Sequence, residues 1–498
     1  MVRKKKEMRV KLLFPPSDKK YAKRRPGYSR RPSPPQTAHA VLSAWLRKHS
    51  EKKVLVEAIS DQKPTDDGFE DRTLEEMKGF ALGADIVGLT CWYHNIENVI
   101  SLSRKIKRDN LGTKIALGGP GISNPMIAKL ILRKSQDVDF VIEGDGEEAL
   151  TGLVERRTTD NIPNLWYRDG NNTRFTYHQS TDLSQMPTWD FSDTLDYERL
   201  LEPHTRLMGN EQSMIGIFGN RGCPKANRSK PCIFCSSNIG GTKIRIMPPE
   251  MFWKQKKRLH EVHGIMDTYC SDNVFTLSLK HIEKIADEKD KDCDSLRMRV
   301  YSYPTDIIRK GGIALAEKLK EIGVYNVFFG IENFSKEVNL RANKDTFDLA
   351  ELKKAVEILR SVGIGTTVSL IVGLPGESNS SLSTTERAFE ELMSGYGNNG
   401  IQRAYISLGM PLIGTAWYNE LFSDEGIRRA YLQATGNPLG EELSIRYDIL
   451  RKLSIEEHTS LSGMHEAYSA AGRLVRIAQN YLPEENVGGY GLEELSHH

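Results

Sequence analysis

Short apolar runs alternate with amphipathic stretches over the first 155 residues. The apolar runs are MRVKLLF (8–14), KVLVEAI (53–59), DIVGLT (85–90), KIALGG (114–119) and DFVIEG (139–144). Between them, TAHAVLSAWLRKHS, NIENVISLSRKIKRDN and NPMIAKLILRKS repeat apolar residues near the helical period of about 3.6. Continuous apolar strands separated by helices predict a parallel sheet that is covered by helices on both faces.

Glycine-rich loops follow the last two of these predicted strands. They read GGPGIS (118–123) and EGDGEE (143–148). Ligands of open parallel sheets bind beyond the carboxyl ends of the strands. We therefore predict that both loops line a pocket.

A second alternation of strands and helices occupies residues 211–415. Its apolar runs are SMIGIFG (213–219), GIMDTYC (264–270), RMRVYSY (297–303), YNVFFGI (325–331), TTVSLIVGL (366–374) and AYISLGM (404–410). Because each strand returns through a helix, the six strands predict an incomplete α/β barrel with its site at the strand carboxyl ends. Residues 156–210 are predicted to form a β excursion and linker, and residues 416–498 a helical region.

Composition places the chain among globular α/β proteins, with 39% hydrophobic and 27% charged residues. No apolar run approaches the roughly 18–20 residues that cross a bilayer, so we expect no membrane span. The apolar part of the N-terminus is too short for a signal peptide. Six cysteines in 498 residues do not suggest a disulfide framework, which favours a reducing cytoplasm.

The net charge of +3 is concentrated near the N-terminus, in Lys4–Lys6 and in KKYAKRRPGYSRRP from Lys19. Clustered Lys and Arg neutralise phosphates, so a nucleic-acid contact is one interpretation. We favour the alternative, a solvated arm on the protein surface.

Three of the six cysteines, Cys223, Cys232 and Cys235, lie within thirteen residues. A structural zinc site takes four ligands, and no paired histidine motif accompanies this trio. A redox CxxC pair would not need Cys223. Three cysteines on one loop instead suit a [4Fe–4S] cluster whose fourth iron is left open to bind another molecule.

The segment RGCPKANRSKPCIFCSS (221–237) resembles the cluster loop of radical S-adenosylmethionine (SAM) enzymes. Residues 8–418 resemble the class of this superfamily that has an N-terminal cobalamin-binding domain. Cys232 and Cys235 keep the CxxC spacing, with the aromatic Phe234 before the third cysteine. Eight residues separate Cys223 from Cys232, where the family commonly has three, and this basic insert is expected to form a lid beside the cluster.

The resemblance extends to segments that follow the barrel strands. CSDNVFT (270–276) implies that Asp272 lies near the methionyl amine of SAM. GIENFSKEVNLRANK (330–344) implies that Glu332 contacts SAM and that Lys344 is the family's lysine. SLIVGLPGES (369–378) implies that Gly373 approaches the adenosine. With Phe234, these are the expected SAM-site residues.

The first domain resembles the family's Rossmann-like cobalamin module in ADIVGLT, IALGGPGIS and VDFVIEGDGEEAL. The expected cobalamin contacts are Thr90, Gly118, Gly119, Glu143 and Gly144.

A histidine ligand of the DxHxxG type is absent from SDQKPTDDG (60–68), so the lower face of cobalt would lack that ligand. We interpret His94 as a packed or surface histidine rather than a cobalt ligand. Cys91, Cys270 and Cys293 are interpreted as small buried hydrophobes.

The implied function is reductive cleavage of SAM to a 5′-deoxyadenosyl radical, with cobalamin-dependent methyl transfer to an unactivated carbon or phosphinate. Radical rearrangement or cyclisation without methyl transfer and RNA modification are the alternatives. A zinc-stabilised binding module is a structural alternative. The expected partners are a small-molecule or peptide substrate and a reductant such as flavodoxin or ferredoxin.

Overall fold

The computed structural model describes residues 7–18, 33–122, 124–207, 211–227, 231–236, 243–443 and 445–489. The basic segments at residues 4–6 and 19–32 lie outside these ranges, as do Arg228 and Lys230 of the insert. Within the described ranges, no helix is both long and apolar enough to cross a membrane.

Two seven-stranded sheets form the two halves of the molecule. The elements of the first half are β1 (Met8–Leu13), α1 (Thr37–His49), β2 (Val54–Ile59), β3 (Gln62–Thr65), β4 (Gly68–Asp71), α2 (Leu74–Ala81), β5 (Ile86–Thr90), α3 (Ile96–Asp109), β6 (Lys114–Gly118), α4 (Pro125–Lys134), β7 (Phe140–Ile142), α5 (Glu147–Glu155), β8 (Leu165–Asp169) and β9 (Asn172–Phe175). The strand order is β2–β1–β5–β6–β7–β8–β9, and the first five of these strands are parallel. These five are the strands predicted from the apolar runs.

The predicted β excursion is part of this first sheet. Strands β8 and β9 add to its edge in antiparallel register, beginning with Ile142 opposite Leu165. The rings of Trp166 and Phe175 pack 5.0 Å apart across the pair. Sequence analysis missed the β3–β4 hairpin because QKPT and GFED are polar and half-exposed, without an apolar face.

The second half contains the predicted incomplete barrel. Its elements are α6 (Tyr197–Thr205), β10 (Gly216–Ile217), β11 (Asn220–Arg221), α7 (Pro224–Asn227), β12 (Arg245–Ile246), α8 (Pro249–His263), β13 (Asp267–Cys270), α9 (Leu279–Asp287), β14 (Arg297–Ser302), α10 (Pro304–Arg309), α11 (Ile313–Glu321), β15 (Val324–Glu332), α12 (Lys336–Arg341), α13 (Leu349–Ser361), β16 (Gly365–Val372), α14 (Asn379–Tyr396), β17 (Ile401–Leu408), α15 (Ala416–Ser423), α16 (Glu425–Thr435), α17 (Tyr447–His458), α18 (Met464–Gln479) and β18 (Val487–Gly488). The parallel order is β10–β13–β14–β15–β16–β17–β18. The six predicted strands are confirmed.

A seventh strand, β18, comes from the region that was expected to be helical. Val487 pairs with Ala404 of β17. A two-residue strand carries no periodicity, so the pattern gave no signal for it.

Helix α13 shows how local sequence sets the element boundaries. Asp348 accepts from the backbone N–H of Glu351, and Glu351 accepts from the N–H of Asp348, which forms a capping box. Gly363, with φ +75°, follows the helix end. The apolar face between them, which includes Leu352 and Val356, packs in the same core as Val327 of β15.

Candidate functional site

The cysteine loop begins at the carboxyl end of β10. Cys223 and Cys232 are buried and Cys235 is half-buried, and none of the three forms a disulfide. Gly222 adopts φ +104°, and a Cβ there would lie 2.6 Å from the Lys243 carbonyl oxygen, so only glycine fits this approach. The Cys232 Sγ lies 3.7 Å from the carbonyl oxygen of Asn343.

The half-buried Tyr303 and the buried Lys344 side chain both interact electrostatically with the thiols. Burial raises the pKa of Tyr303, and the negative potential of Cys223, Cys232 and Cys235 raises it further. Burial lowers the pKa of Lys344, but Glu332 and then Cys232 outweigh burial, so the net shift is upward. The three cysteines therefore face one site beside Tyr303 and Lys344.

This donor set fits a polynuclear cluster. No three His, Cys, Asp or Glu side chains in the described ranges are placed to ligate a single metal ion. Each thiolate of a [4Fe–4S] cluster binds a different iron, so the trio does not need to converge on one point. Burial raises the pKa of Cys232 to about 11, with Lys344 and Lys225 acting against that rise.

Glu332 and Lys344 form a buried ion pair at the carboxyl end of β15. Lys344 Nζ donates to Glu332 Oε1 at 2.8 Å, and each side chain is 8% exposed. Ser369 Oγ lies 3.4 Å from Glu332 Oε2. The Lys344 Nζ also lies 5.2 Å from the centre of the Tyr303 ring. The structure thus brings both predicted residues to the cysteine site.

Asp272 accepts hydrogen bonds from the residues that lead into the cysteine loop. Its Oδ1 accepts from the Gly219 N–H at 2.8 Å, and its Oδ2 accepts from Asn220 Nδ2 at 2.6 Å. The side chain is 2% exposed, and burial raises its pKa to about 7. The observed contacts give Asp272 a role in holding the loop, while its contact with the methionyl amine stays a prediction.

Gly373 follows β16 with φ +87°. Its N–H donates to Glu377 Oε2 at 2.5 Å, and Asn333 Nδ2 donates to Glu377 Oε1 at 2.6 Å. Burial raises the pKa of Glu377 to about 7. Sequence analysis missed Glu377 and Asn333, because a loop carboxylate and a loop amide carry no periodic signal.

Phe234 packs against the core that joins the cysteine loop to the C-terminal helices. Its neighbour Ile233 donates its N–H to the Ala342 carbonyl at 3.1 Å and accepts from the Trp417 N–H at 3.0 Å. The loop is therefore fixed at the residue before Phe234, and the contact of Phe234 with SAM stays a prediction.

The five expected cobalamin residues share one edge of the first sheet. Thr90 and Gly118 pair at the carboxyl ends of β5 and β6, and Glu143 follows β7 directly. A Cβ on Gly118 would meet no atom within 4 Å, so the edge is open at this residue, whereas a Cβ on Gly119 would lie 2.7 Å from the Cys91 carbonyl oxygen. Gly119 and Gly144 have φ +109° and +87°, a conformation that glycine tolerates. An open glycine edge fits the approach of a large planar cofactor.

Two of these residues, Thr90 and Glu143, form hydrogen bonds with side chains of the first domain. His39 Nε2 lies 2.8 Å from Thr90 Oγ1, and burial lowers the His39 pKa to about 3, so the ring is neutral. Glu143 Oε2 accepts from Trp166 Nε1 at 2.6 Å. Sequence analysis missed His39; its only signal was a histidine on the buried face of a predicted helix.

His94 and the remaining cysteines agree with their predicted packing roles. The His94 Nδ1 lies 3.0 Å from Ser17 Oγ, and its ring packs against Phe14 and Tyr93. Cys91, Cys270 and Cys293 are each 0% exposed, which confirms that interpretation.

Residues 217–389 match the family model described as the radical SAM superfamily. This span contains the three cysteines, Glu332, Lys344 and Gly373. The chain carries a radical SAM domain.

The curated relatives of this chain are named as a methyltransferase and as cyclases. An uncharacterized methyltransferase of Pyrococcus horikoshii is 23% identical over 412 residues, covering 80% of this chain and 82% of that protein. An anaerobic magnesium-protoporphyrin IX monomethyl ester cyclase of Cereibacter sphaeroides is 25% identical over 279 residues. That match covers 54% of this chain and 43% of the cyclase, so this radical SAM chain spans less than half of the cyclase.

A solved structure shares the whole architecture. The radical SAM methyltransferase TsrM from Kitasatospora setae, solved with cobalamin and a [4Fe–4S] cluster bound, has a TM-score of 0.68 at 16% identity. The match covers 99% of this chain and 98% of that one. The fold of a Rossmann-like domain followed by a partial barrel is therefore confirmed.

Proposed function

We propose that this radical SAM chain is a cobalamin-dependent methyltransferase that acts on an unactivated carbon or phosphinate. The observation that carries the proposal is an ion-pair contact between the loop that would hold the cluster and the loop that would hold cobalamin. Arg221, two residues before Cys223, pairs with Asp145 and Glu147, which follow Gly144. The open edge of the first sheet and the cysteine site thus meet in one structure.

Residues of both edges have defined tasks in this proposal. Cys223, Cys232 and Cys235 would hold the cluster, and Thr90, Gly118, Gly119, Glu143 and Gly144 would contact cobalamin. When bound, these groups supply the electron that cleaves SAM and the carrier for its methyl group. TsrM, a radical SAM methyltransferase solved with cobalamin and a [4Fe–4S] cluster bound, and the methyltransferase name of the Pyrococcus relative support this assignment.

Glu332 binds the positively charged part of SAM in this proposal. Lys344 holds Oε1 at 2.8 Å, which fixes the carboxylate while Oε2 faces Ser369. Because the pair is 8% exposed, water screens its interactions weakly. Weak screening strengthens both the attraction of Glu332 for a bound ammonium or sulfonium and the repulsion from Lys344, so the cation would have to approach from the Oε2 side.

The proposal includes a one-electron donor such as flavodoxin or ferredoxin and a reducing cytoplasm. None of the six cysteines forms a disulfide, which is compatible with such a compartment.

Methyl-labelled SAM tests the proposal without knowledge of the substrate. The anaerobically reconstituted protein, supplied with hydroxocobalamin and reductant, should transfer label from SAM to cobalamin. Cys235→Ala should abolish 5′-deoxyadenosine formation and lower the iron content, whereas Cys293→Ala, a buried cysteine in the core, should preserve both. The methyl-transfer proposal fails if no cobalamin is retained and all label stays in methionine.

Radical ring formation is a second candidate, which is favoured by the cyclase names of two curated relatives. The incubations with methyl-labelled SAM distinguish cyclisation from methyl transfer. Cyclisation predicts substrate-dependent 5′-deoxyadenosine without labelled methyl on cobalamin or product.

A further inference from the structure

The inner face of the second sheet is not packed like its outer face. Side chains alternate between the two faces of a strand. Along β15, Val327, Phe329 and Ile331 point outward and are 0% exposed in the core shared with the helices. Phe328 and Gly330 lie on the opposite, inner face and are half-buried.

Three rings form a row on this inner face, which runs from β14 and its neighbour β15 across β16 to β17. Tyr301 of β14 and Phe328 of β15 have ring centres 4.9 Å apart. Phe328 and Tyr405 of β17 are stacked at 5.9 Å with an interplanar angle of 29°. We call Tyr301, Phe328 and Tyr405 the ring row. Gly488 of β18 approaches the ring of Tyr405, where a Cβ would lie at 3.3 Å.

The ring row is accessible rather than filled. Tyr301 is 36% exposed, and Phe328 and Tyr405 are half-buried. Where a barrel interior serves only as a core, branched aliphatic side chains fill it in layers. Partly exposed rings at this depth leave their faces available to a ligand.

The ring row lies just below the cysteine site. Tyr303 and Gly330 follow Tyr301 and Phe328 by two residues, a rise of about 7 Å along the strands. The charges of all three cysteines raise the pKa of Tyr303, so this step leads toward the cluster residues. Gly330 lies directly against the Glu332–Lys344 pair, since a Cβ there would lie 2.5 Å from Glu332 Oε1 and 2.9 Å from Lys344 Nζ, so the inner face of β15 leads from Phe328 to this pair.

We propose that the ring row binds the substrate, and that the substrate is a planar conjugated molecule or carries such a group. Aromatic faces attract other π-systems in offset-stacked or edge-to-face geometry, beyond the effect of apolar burial. The inference rests on the proposed function for the reaction that follows, whereas binding of a conjugated ring to the row is independent of it.

Paired probes test the proposal on the reconstituted holoenzyme. 2-Naphthol and its saturated counterpart, decahydro-2-naphthol, share a hydroxyl and a carbon skeleton but differ in conjugation. Anaerobic calorimetric titration should show naphthol binding at least tenfold more tightly. Phe328→Leu should weaken naphthol binding about three- to tenfold and leave the saturated probe unchanged.

A second variant and a control complete the test. Tyr405→Leu should act in the same direction as Phe328→Leu, so misfolding of one variant does not decide the result. Tyr177→Leu, at a 44% exposed ring outside the barrel, should leave both probes unaffected.

The ring-row proposal is overturned if both probes bind equally, if the row variants weaken both probes alike, or if naphthol binding is insensitive to them. Cobalamin retention and SAM cleavage are measured on the same preparations. Their loss with intact naphthol binding counts against the proposed function alone, and the reverse result counts against the ring row alone.

Discussion

Arg221 Nη2 donates to Glu147 Oε1 at 2.7 Å, which ties the cysteine loop to the first turn of α5. Glu147 is 3% exposed, and its Oε2 accepts from Thr181 Oγ1 at 3.1 Å. Asp145 pairs with both Arg221 and Arg245. Burial alone would lower the Arg221 pKa, but Glu147 and then Asp145 outweigh it and raise the pKa. The loop expected at cobalamin and the loop expected at the cluster are therefore held as one unit.

Breaking this pair should loosen both loops. Glu147→Gln leaves the Arg221 charge with Asp145 alone, and removal of one partner from a buried pair costs about 3 kcal/mol. We expect a drop of that size in the free energy of unfolding, measured in urea, together with weaker retention of cobalamin. Glu148→Gln, the neighbouring residue on α5, is the matched control. Equal stability of the two variants would show that the ion pair does not hold the loops.

Glu332→Gln tests the contact of Glu332 with SAM. The amide keeps the shape of the side chain but loses the charge that the proposal assigns to SAM, and hydrogen bonds to charged groups contribute about 1.5–3 kcal/mol. SAM affinity, measured per iron-loaded protein, should fall about 10- to 100-fold; iron content itself should also decrease, because the change leaves the buried Lys344 without its carboxylate partner. Glu337→Gln on α12, which is exposed, should change neither. Unaltered SAM affinity in Glu332→Gln would remove this residue from the site.

The large apolar elements of the fold could be predicted from the sequence because their signal is local. Five parallel strands of the first sheet and six of the second are continuous apolar runs, such as Ile86–Thr90, and runs of this kind identify buried strands. The three cysteines were equally visible, since their spacing lies within one loop. β18 and the β3–β4 hairpin lacked such a signal because they are short or polar.

The polar partners of the site could not be predicted, because each depends on a contact distant in the chain. His39 meets Thr90 across 51 residues, and Asn333 meets Glu377 across 44. The link between Arg221 and Glu147 spans 74 residues. Sequence periodicity shows that a position is buried, but it does not show which polar group meets it.

Asp272→Asn should weaken the base of the cysteine loop. Its two oxygens accept from the Gly219 N–H and from Asn220, so an amide would place a donor against a donor. Leaving a buried donor unsatisfied costs about 1–3 kcal/mol. We expect that loss of stability, measured by urea unfolding, and faster loss of iron during anaerobic dialysis. The exposed Asp287→Asn is the control, and iron retention equal to the wild type would rule out this role for Asp272.

The buried His39 should make the protein sensitive to acid. Burial lowers its pKa to about 3 in the folded state, against 6.5 for the ordinary residue, so the unfolded chain binds the extra proton between these values. Stability from this group is fully present above pH 6.5 and falls as the pH decreases, by about 1.4 kcal/mol per unit.

His39→Gln removes this titration while offering Thr90 an amide of similar reach. Between pH 7.5 and 5.5, the wild type should lose about 1.4 kcal/mol more than the variant in the free energy of unfolding, because most of the change occurs below pH 6.5. Urea unfolding at both pH values measures the free energy of unfolding of each protein. Subtracting the loss in the variant from the loss in the wild type removes the contribution of the other buried groups, because both proteins share them. His178→Gln, at an exposed histidine, should reproduce the wild-type pH dependence. Parallel losses in wild type and His39→Gln would show that the pKa of His39 is the same in the folded and unfolded protein, which would contradict the burial of a neutral His39 ring beside Thr90.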